Sequence, residues 1–284
     1  MPSHFYKLYR QVLNRLVQGA CVGAVVLALV PLGSLLVYVI VRGWHEFGWS
    51  FFKDIPAPVG IPGGGMANAI VGTFEILGMA TLVGLPVGLL AGIYLAEFGK
   101  ASRWASIIRF TSNVLSGVPS IVTGVVVYYL VVRPMGGFSA IAGGIALGVM
   151  MIPIITRATE EIIKMVPNSI REASLALGIS QWKTIVYVVL QTAKNGIITG
   201  VLLAIARVGG ETAPLLFTAF GNAFWAPVTQ PTGALTIQIY TYAVSPYHVW
   251  HEQAWTGALV LLMIVLVVNI MARLFFKTPR HLLR

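Results

Sequence analysis

Charge is what this chain has least of: 10% of its 284 residues are Asp, Glu, Lys or Arg, while 57% are hydrophobic and the mean hydropathy is +0.84. A soluble domain carries about a quarter charged residues, so a soluble globular fold is excluded. Carboxylates are the scarcest charges, nine Asp and Glu against 19 Lys and Arg. Cysteine occurs once, at Cys21 inside an apolar run, which excludes an internal disulfide and leaves a packing role. The five histidines are scattered, and only His248 and His251 are close in sequence. With Glu252 they can be drawn as a metal site, but three such groups on one external loop read as solvated surface. The glycine run Gly60 to Gly65 is closed by no Gly-Lys-Ser/Thr and preceded by no strand, which excludes a phosphate-cradling loop. The chain has neither a Walker motif nor a Ser/His/Asp cluster, so it is not expected to be an enzyme or to bind a cofactor itself.

What the chain does have is apolar length. Charge-free runs cover Leu16 to Val41, Ile76 to Ala96, Phe110 to Val132, Pro134 to Thr156 and Gln253 to Ala272. Each reaches the roughly 20 residues that cross hydrocarbon. A sixth, Asn195 to about Phe220, is interrupted by Arg207 and Glu211. The expected fold is therefore an all-α polytopic membrane protein with six transmembrane helices. Lys7, Arg10 and Arg15 precede the first run as in a signal peptide. That run is far longer than an apolar signal core of about 7 to 15 residues, and no Ala-x-Ala site closes it. It is expected to stay as a helix.

Lys and Arg set the orientation. With a cytoplasmic N terminus, the inner flanks hold Lys7, Arg10, Arg15, Lys100, Arg103, Arg109, Arg157, Lys164, Arg171, Lys183, Lys194, Arg273, Lys277, Arg280 and Arg284. The outer flanks hold only Arg42, Lys53 and Arg133. Both termini are thus expected in the cytoplasm, and the net charge of +10 follows from topology without a nucleic-acid partner. Two external loops result. Gly43 to Ala67 is too rich in Pro and Gly for regular structure, and Gly221 to Glu252 carries Trp225, Tyr240, Tyr242, Tyr247 and Trp250, as at a lipid–water boundary. Glycines four apart at Gly84, Gly88 and Gly92, at Gly144 and Gly148, and at Gly196 and Gly200 predict helix faces on which another backbone packs closely.

Two ionisable residues interrupt the sixth run. Measured from a cytoplasmic boundary near Lys194, Arg207 lies about 20 Å along the helix at 1.5 Å per residue, near mid-membrane. A guanidinium there costs about 2.5 to 3.5 kcal/mol or more unless it faces protein or water. Glu211, four residues on, would share its face and its charge. Gly209, Gly210 and Pro214 predict a kink or loosening, which is tolerated at membrane depth only where backbone is buried or lines a cavity. Arg207 thus reads as a forked donor for a tetrahedral oxyanion, with Glu211 balancing it. The plainer reading of the same pair is an ion pair that fixes helix packing. Arg157, closing the fourth span, reads on its own as a positive-inside anchor.

Between the fourth and fifth spans lies a 28-residue polar stretch, Thr156 to Lys183, holding three of the nine acids. Ser169 followed by Glu172 reads as a capping box that starts a helix near Ile170, and Gly178 supplies a left-handed stop. The helix is then about two turns and roughly 12 Å long, too short to persist alone in water. A partner protein is expected against it.

From Glu172 the order Glu-Ala-Ser, three residues, Gly178, nine residues, then Val188-x-Leu190-Gln191 resembles the EAA loop of ATP-binding-cassette importer permeases, with Ser174, Val188 and Gln191 departing from the pattern. Four further stretches, Asn113 to Val122, Arg157 to Glu161, Ala204 to Phe217 and Leu235 to Tyr240, are similar to the PstA family of bacterial phosphate-importer permeases. The resemblance implies the six-helix type I importer fold. It implies residues 67–276 as the transport domain, with a cytoplasmic coupling helix at about 169–178. Residues 1–66 supply the N terminus, first span and external loop, and 277–284 a cytoplasmic tail. It also implies a role in ATP-driven phosphate import across the bacterial cytoplasmic membrane by alternating access. The implied partners are a second permease PstC, an ATPase dimer PstB holding ATP and Mg, and a periplasmic phosphate-binding protein PstS. Arg157, Arg207 and Glu211 are the expected phosphate path, and Ser169, Arg171, Glu172, Ala173, Leu177 and Gly178 the expected ATPase-coupling surface. A permease for sulfate or molybdate shares these features; a passive channel or membrane scaffold lacks the ATPase.

Overall fold

A computed structural model of the chain describes residues 4–61, 63–99 and 102–275. The tail 277–284 with Lys277, Arg280, His281 and Arg284, together with Lys100 and the side chains of His4, Lys7 and Arg273, lies outside the described residues. The described chain is helical, with one isolated bridge between Phe220 and Thr232.

Its helices are α1 (His4–Gly43), the short external α2 (Trp49–Lys53), α3 (Ala67–Glu97), α4 (Arg103–Gly117), α5 (Ser120–Met135), α6 (Ala140–Lys164), α7 (Asn168–Ala176), α8 (Gln181–Val208), α9 (Ala213–Leu216), α10 (Leu235–Ala243) and α11 (His248–Phe275). Five of them, α1, α3, α6, α8 and α11, are long and apolar enough to cross a membrane, and α4 with α5 makes a sixth, broken span. The third span is therefore not the straight helix that its charge-free run suggests. Pro119 holds Val118 extended (φ −71°, ψ 129°) and the two halves meet at 105°.

Glycine sets the packing. A Cβ on Gly84 would stand 2.8 Å from the Gly148 carbonyl oxygen, and one on Gly148 would stand 2.9 Å from Val83 Cβ. Gly88 and Gly92 meet Ile155 and Thr159 in the same way, so α3 and α6 lie backbone to backbone along most of their length. On another side of α6, Gly196 and Gly200 of α8 take Ile162 and Ala158. All three glycine motifs read from sequence are thus helix contacts, and α6 is the shared partner. Ile76, Ala80, Leu147, Met151, Ile155, Ala204 and Val208 fill the core between these three helices. The start of α6 is capped by Ser139, whose hydroxyl oxygen accepts from the Ala142 amide at 3.1 Å.

The second external segment departs from the loop expected of it. It folds into α10, which packs on α3 and α11, and Tyr242 is buried there, stacked on Trp250 at 4.7 Å, instead of facing lipid. His251 Nε2 donates to the Ser245 carbonyl oxygen at 2.6 Å, and the His248 and His251 ring centroids are 5.9 Å apart.

Gly84→Leu is expected to destabilise the protein by about 1 to 3 kcal/mol or more, the usual cost of overpacking. Gly33→Leu, whose Cβ position is open, is expected to leave it unchanged. The melting temperatures of the two variants, purified alongside wild type, provide the comparison.

Candidate functional site

The residues expected to couple to an ATPase and the pair Arg207 and Glu211 stand at opposite ends of α8, while Arg157 lies on α6. At its start lies α7, nine residues long, with Pro167 in the capping position (φ −58°, ψ 141°) and no side-chain cap. The expected capping box does not form. Proline has no amide to satisfy and a fixed φ suited to a helix entrance, so the helix begins at Asn168 and Ser169 falls inside its first turn. Gly178 ends the segment in the left-handed region (φ 78°) as expected.

Ser169, Glu172, Ala173, Leu177 and Gly178 are exposed, Leu177 at 80%. Met165, Leu175 and Trp182 are exposed around the same segment, which makes this end of the molecule unusually apolar for a polar stretch. Arg171 is different. Its guanidinium turns inward to Glu97 at the end of α3, 2.7 Å from Nη2 to Oε1, and donates to the carbonyl oxygens of Ile163 and Val166. Ser174, three residues on, is also buried, its hydroxyl 2.9 Å from that of Thr184 in α8. One face of α7 therefore grips the membrane helices and the other is free.

At the far end of α8, Arg207 is the last residue but one. It is exposed, and among the described residues its side chain makes no hydrogen bond or ion pair. The expected pairing with Glu211 fails for a local reason. The helix stops at Val208, and Gly209 and Gly210 turn the chain, so Glu211 is not one helical turn above Arg207. Its backbone carbonyl accepts from Thr236 Oγ1 at 3.2 Å, and its side chain has no partner among the described residues. Pro214 does not kink a continuing helix either; it sits in the first turn of α9, where its missing amide costs nothing. The break packs against the other broken span, a Cβ on Gly124 of α5 falling 2.7 Å from Pro214 Cα. Because α8 begins at Gln181, Lys194 is inside the helix, and Arg207 lies about 39 Å from its start at 1.5 Å per residue.

Arg157 is exposed on α6 and donates through Nη2 to Asn113 Oδ1 on α4. Its neighbour Ala158 faces Gly200, seven residues before Arg207, so the two arginines stand about 10 Å apart in level along α8. A cleft of about 270 Å³ beside Arg157 is lined by Arg109, Ser112, Asn113, Glu160 and Lys164. In it Glu160, a buried carboxylate, accepts from Arg109 Nε at 2.9 Å and Lys164 Nζ at 2.6 Å. Sequence reasoning gave no role to Glu97, Asn113, Glu160 or Thr184. A signal was available for Glu160, which stands four residues before Lys164 on one helix face; the other partners lie on different helices.

An exposed guanidinium at a helix break offers forked donors matched to a tetrahedral oxyanion. Residues 84–281 match the family described as binding-protein-dependent transport system inner membrane component. A Haemophilus influenzae protein named phosphate transport system permease protein PstA is 44% identical over 95% of this chain and 95% of its own length. The Yersinia pestis protein of the same name is 41% identical, over 96% and 93%. A Methanocaldococcus jannaschii protein, named probable phosphate transport system permease protein PstA, is 37% identical over 90% and 91%. Among solved structures, a bacterial alginate ABC transporter in complex with an alginate pentasaccharide-bound periplasmic protein aligns over 97% of this chain and 99% of its own, with a TM-score of 0.62 and 14% identity. The inward-facing MetNI methionine ABC transporter aligns over 74% and 95%, with a TM-score of 0.59 and 20% identity. The chain belongs to the inner membrane components of binding-protein-dependent transport systems, and within them to the PstA family of phosphate transport permeases, as a multi-pass permease subunit and not an enzyme.

Proposed function

We propose that this chain forms one half of the membrane path of an ATP-driven importer of inorganic phosphate, with a PstC-type permease as the other half, a PstB-type ATPase dimer below and a PstS-type phosphate-binding protein above. The transport domain in this reading is residues 67–276, preceded by the first span and external loop and followed by a cytoplasmic tail. Both termini face the cytoplasm, in keeping with the excess of Lys and Arg on that side. The observation that carries the reading is Arg207, an exposed guanidinium without a protein partner among the described residues, at the point where α8 breaks. A charge at the end of a membrane helix and without a partner is open to water or an anion, and the broken backbone beside it belongs next to a cavity.

Phosphate handed over outside enters between the two permeases, is held by Arg207 in charge-assisted hydrogen bonds, and passes inward to Arg157. Arg157 is lightly tethered by the neutral amide of Asn113. A neutral acceptor holds the guanidinium in position without neutralising it, so an arriving dianion displaces it readily. Glu211, four residues after Arg207 and with no side-chain partner among the described residues, competes for the guanidinium in this reading once the break rearranges and so favours release. The exposed residues of α7, with Leu177 and its apolar neighbours, dock on the ATPase, which binds ATP and Mg. Closure of the ATPase dimer moves α7 and reorients the path, giving alternating access.

Arg207→Gln is expected to lower uptake of labelled phosphate by proteoliposomes of the whole complex about tenfold or more, since a charged hydrogen bond contributes about 1.5 to 3 kcal/mol. The complex should stay assembled, and uptake at the wild-type rate would overturn the role of Arg207. Unlabelled phosphate, sulfate and molybdate in the same assay identify the anion, phosphate alone being expected to compete. For the docking face, Glu172→Lys and Leu177→Arg are each expected to release the ATPase during affinity purification; retention of the ATPase by both would refute it.

A further inference from the structure

The inward turn of Arg171 separates it from the residues of α7 that face out, and it calls for a different role. We propose that Arg171 and Glu97 are positioning residues that form the strut by which movement of α7 reaches the transmembrane helices. The proposal rests on the reading of α7 as the ATPase-docking helix and adds how its motion is passed on.

The geometry is that of a rigid joint. Glu97 is the last residue of α3, and 74 positions separate it from Arg171. Arg171 donates to Glu97 Oε1 from Nη2 at 2.7 Å and from Nε at 3.2 Å. Its remaining donors reach the end of α6 and the turn after it, from Nη2 to the Ile163 carbonyl oxygen at 3.0 Å and from Nη1 to that of Val166 at 2.5 Å. One planar guanidinium therefore ties together α3, α6 and α7. Because its donors diverge in a fixed fork, it sets the angle of α7 as well as its distance. The side chains are only 17% and 8% exposed, so the pair is little screened by solvent. The cation also lies at the negative end of the α6 dipole, where its charge is favoured.

A nine-residue helix has too little stability of its own to push anything unless it is fixed to what it moves. It is fixed at two points on its inner face, Arg171 to α3 and α6, and Ser174 to Thr184 of α8. The two tethers differ in kind. The hydroxyl contact holds α7 to the helix that follows it in sequence. The ion pair reaches an element far away in the chain, and α3 and α6 are themselves locked backbone to backbone by Gly84, Gly88 and Gly92. Displacing Glu97 thus displaces the α3–α6 pair as one body, and Arg157 on α6 moves with it.

The test is the ratio of phosphate taken up to ATP hydrolysed, in proteoliposomes of the whole complex. Glu97→Gln keeps the shape of the side chain and removes the charge. It is expected to leave the ATPase bound and hydrolysing while uptake per ATP falls about fivefold or more, the low end of a typical coupling between sites. An unchanged ratio with the complex intact would overturn the proposal, and so would uptake and hydrolysis falling in proportion. In case the single variant fails to assemble, a second experiment places Glu97→Cys and Arg171→Cys in a Cys21→Ser background and links them with a short bismaleimide. Recovery of the ratio on linking supports a strut; no recovery refutes it. The outcomes are separable from those above: loss of the docking reading appears as ATPase retention by Glu172→Lys and Leu177→Arg, and loss of the phosphate reading appears in the wild-type complex.

Discussion

The close approach of α3 to α6 is the constraint on which the rest depends. Three glycines on one helix and two on the other remove the side chains that would hold the backbones apart, and a Cβ added at any of Gly84, Gly88, Gly92, Gly144 and Gly148 would fall within 3 Å of the neighbouring helix. Without water to drive apolar faces together, van der Waals contact of this kind is what joins helices in a bilayer. It makes α6 the axis of the fold. α8 packs on it through Gly196 and Gly200, α4 through Arg109 and Glu160, and α7 hangs from its end through Arg171. Both arginines of the proposed anion path are thereby referred to one helix, Arg157 directly and Arg207 through the helix packed against it.

Two carboxylates take part in the ion pairs found among the described residues. Glu160 engages Arg109 and Lys164, and Glu97 engages Arg171. Those cations are committed to holding helices. Arg157 meets only a neutral amide, and Arg207 meets no protein group among the described residues. In the proposed path, Arg157 and Arg207 are thus cations that no carboxylate among the described residues neutralises.

Much of this was legible in the residues, and the remainder was hidden for identifiable reasons. Run lengths announced the spans, and spacing of four announced the glycine contacts, because both are periodic and local. Gly178 was readable because a left-handed stop suits glycine. The capping box at Ser169 was misread because Pro167 two residues earlier fixes the helix entrance first. The pairing of Arg207 with Glu211 assumed that the helix continues through Gly209 and Gly210, and it does not. Pro119 carried the signal for the bend in the third span, but absence of charge outweighed it. α10 was hidden by the aromatics around it, which suit an interface as well as a buried stack. The joint between Glu97 and Arg171 leaves no periodic trace at all, since its partners are 74 positions apart.

The first helix closes against the last. Gly43 lies where a Cβ would stand 2.7 Å from Leu259 Cβ and from the Trp255 carbonyl oxygen, and Thr256 donates its hydroxyl to the Gly43 carbonyl oxygen at 3.0 Å across 213 positions. Little else in α1 is buried. In terms of synthesis, α1 waits for its main packing partner among the described residues, α11, which is made roughly 10 to 40 s after it at about 5 to 20 residues per second. Attachment of α1 is thus a late folding event: the contact that retains it forms only when α11 has entered the membrane, so a chain cut before α11 would carry α1 unattached.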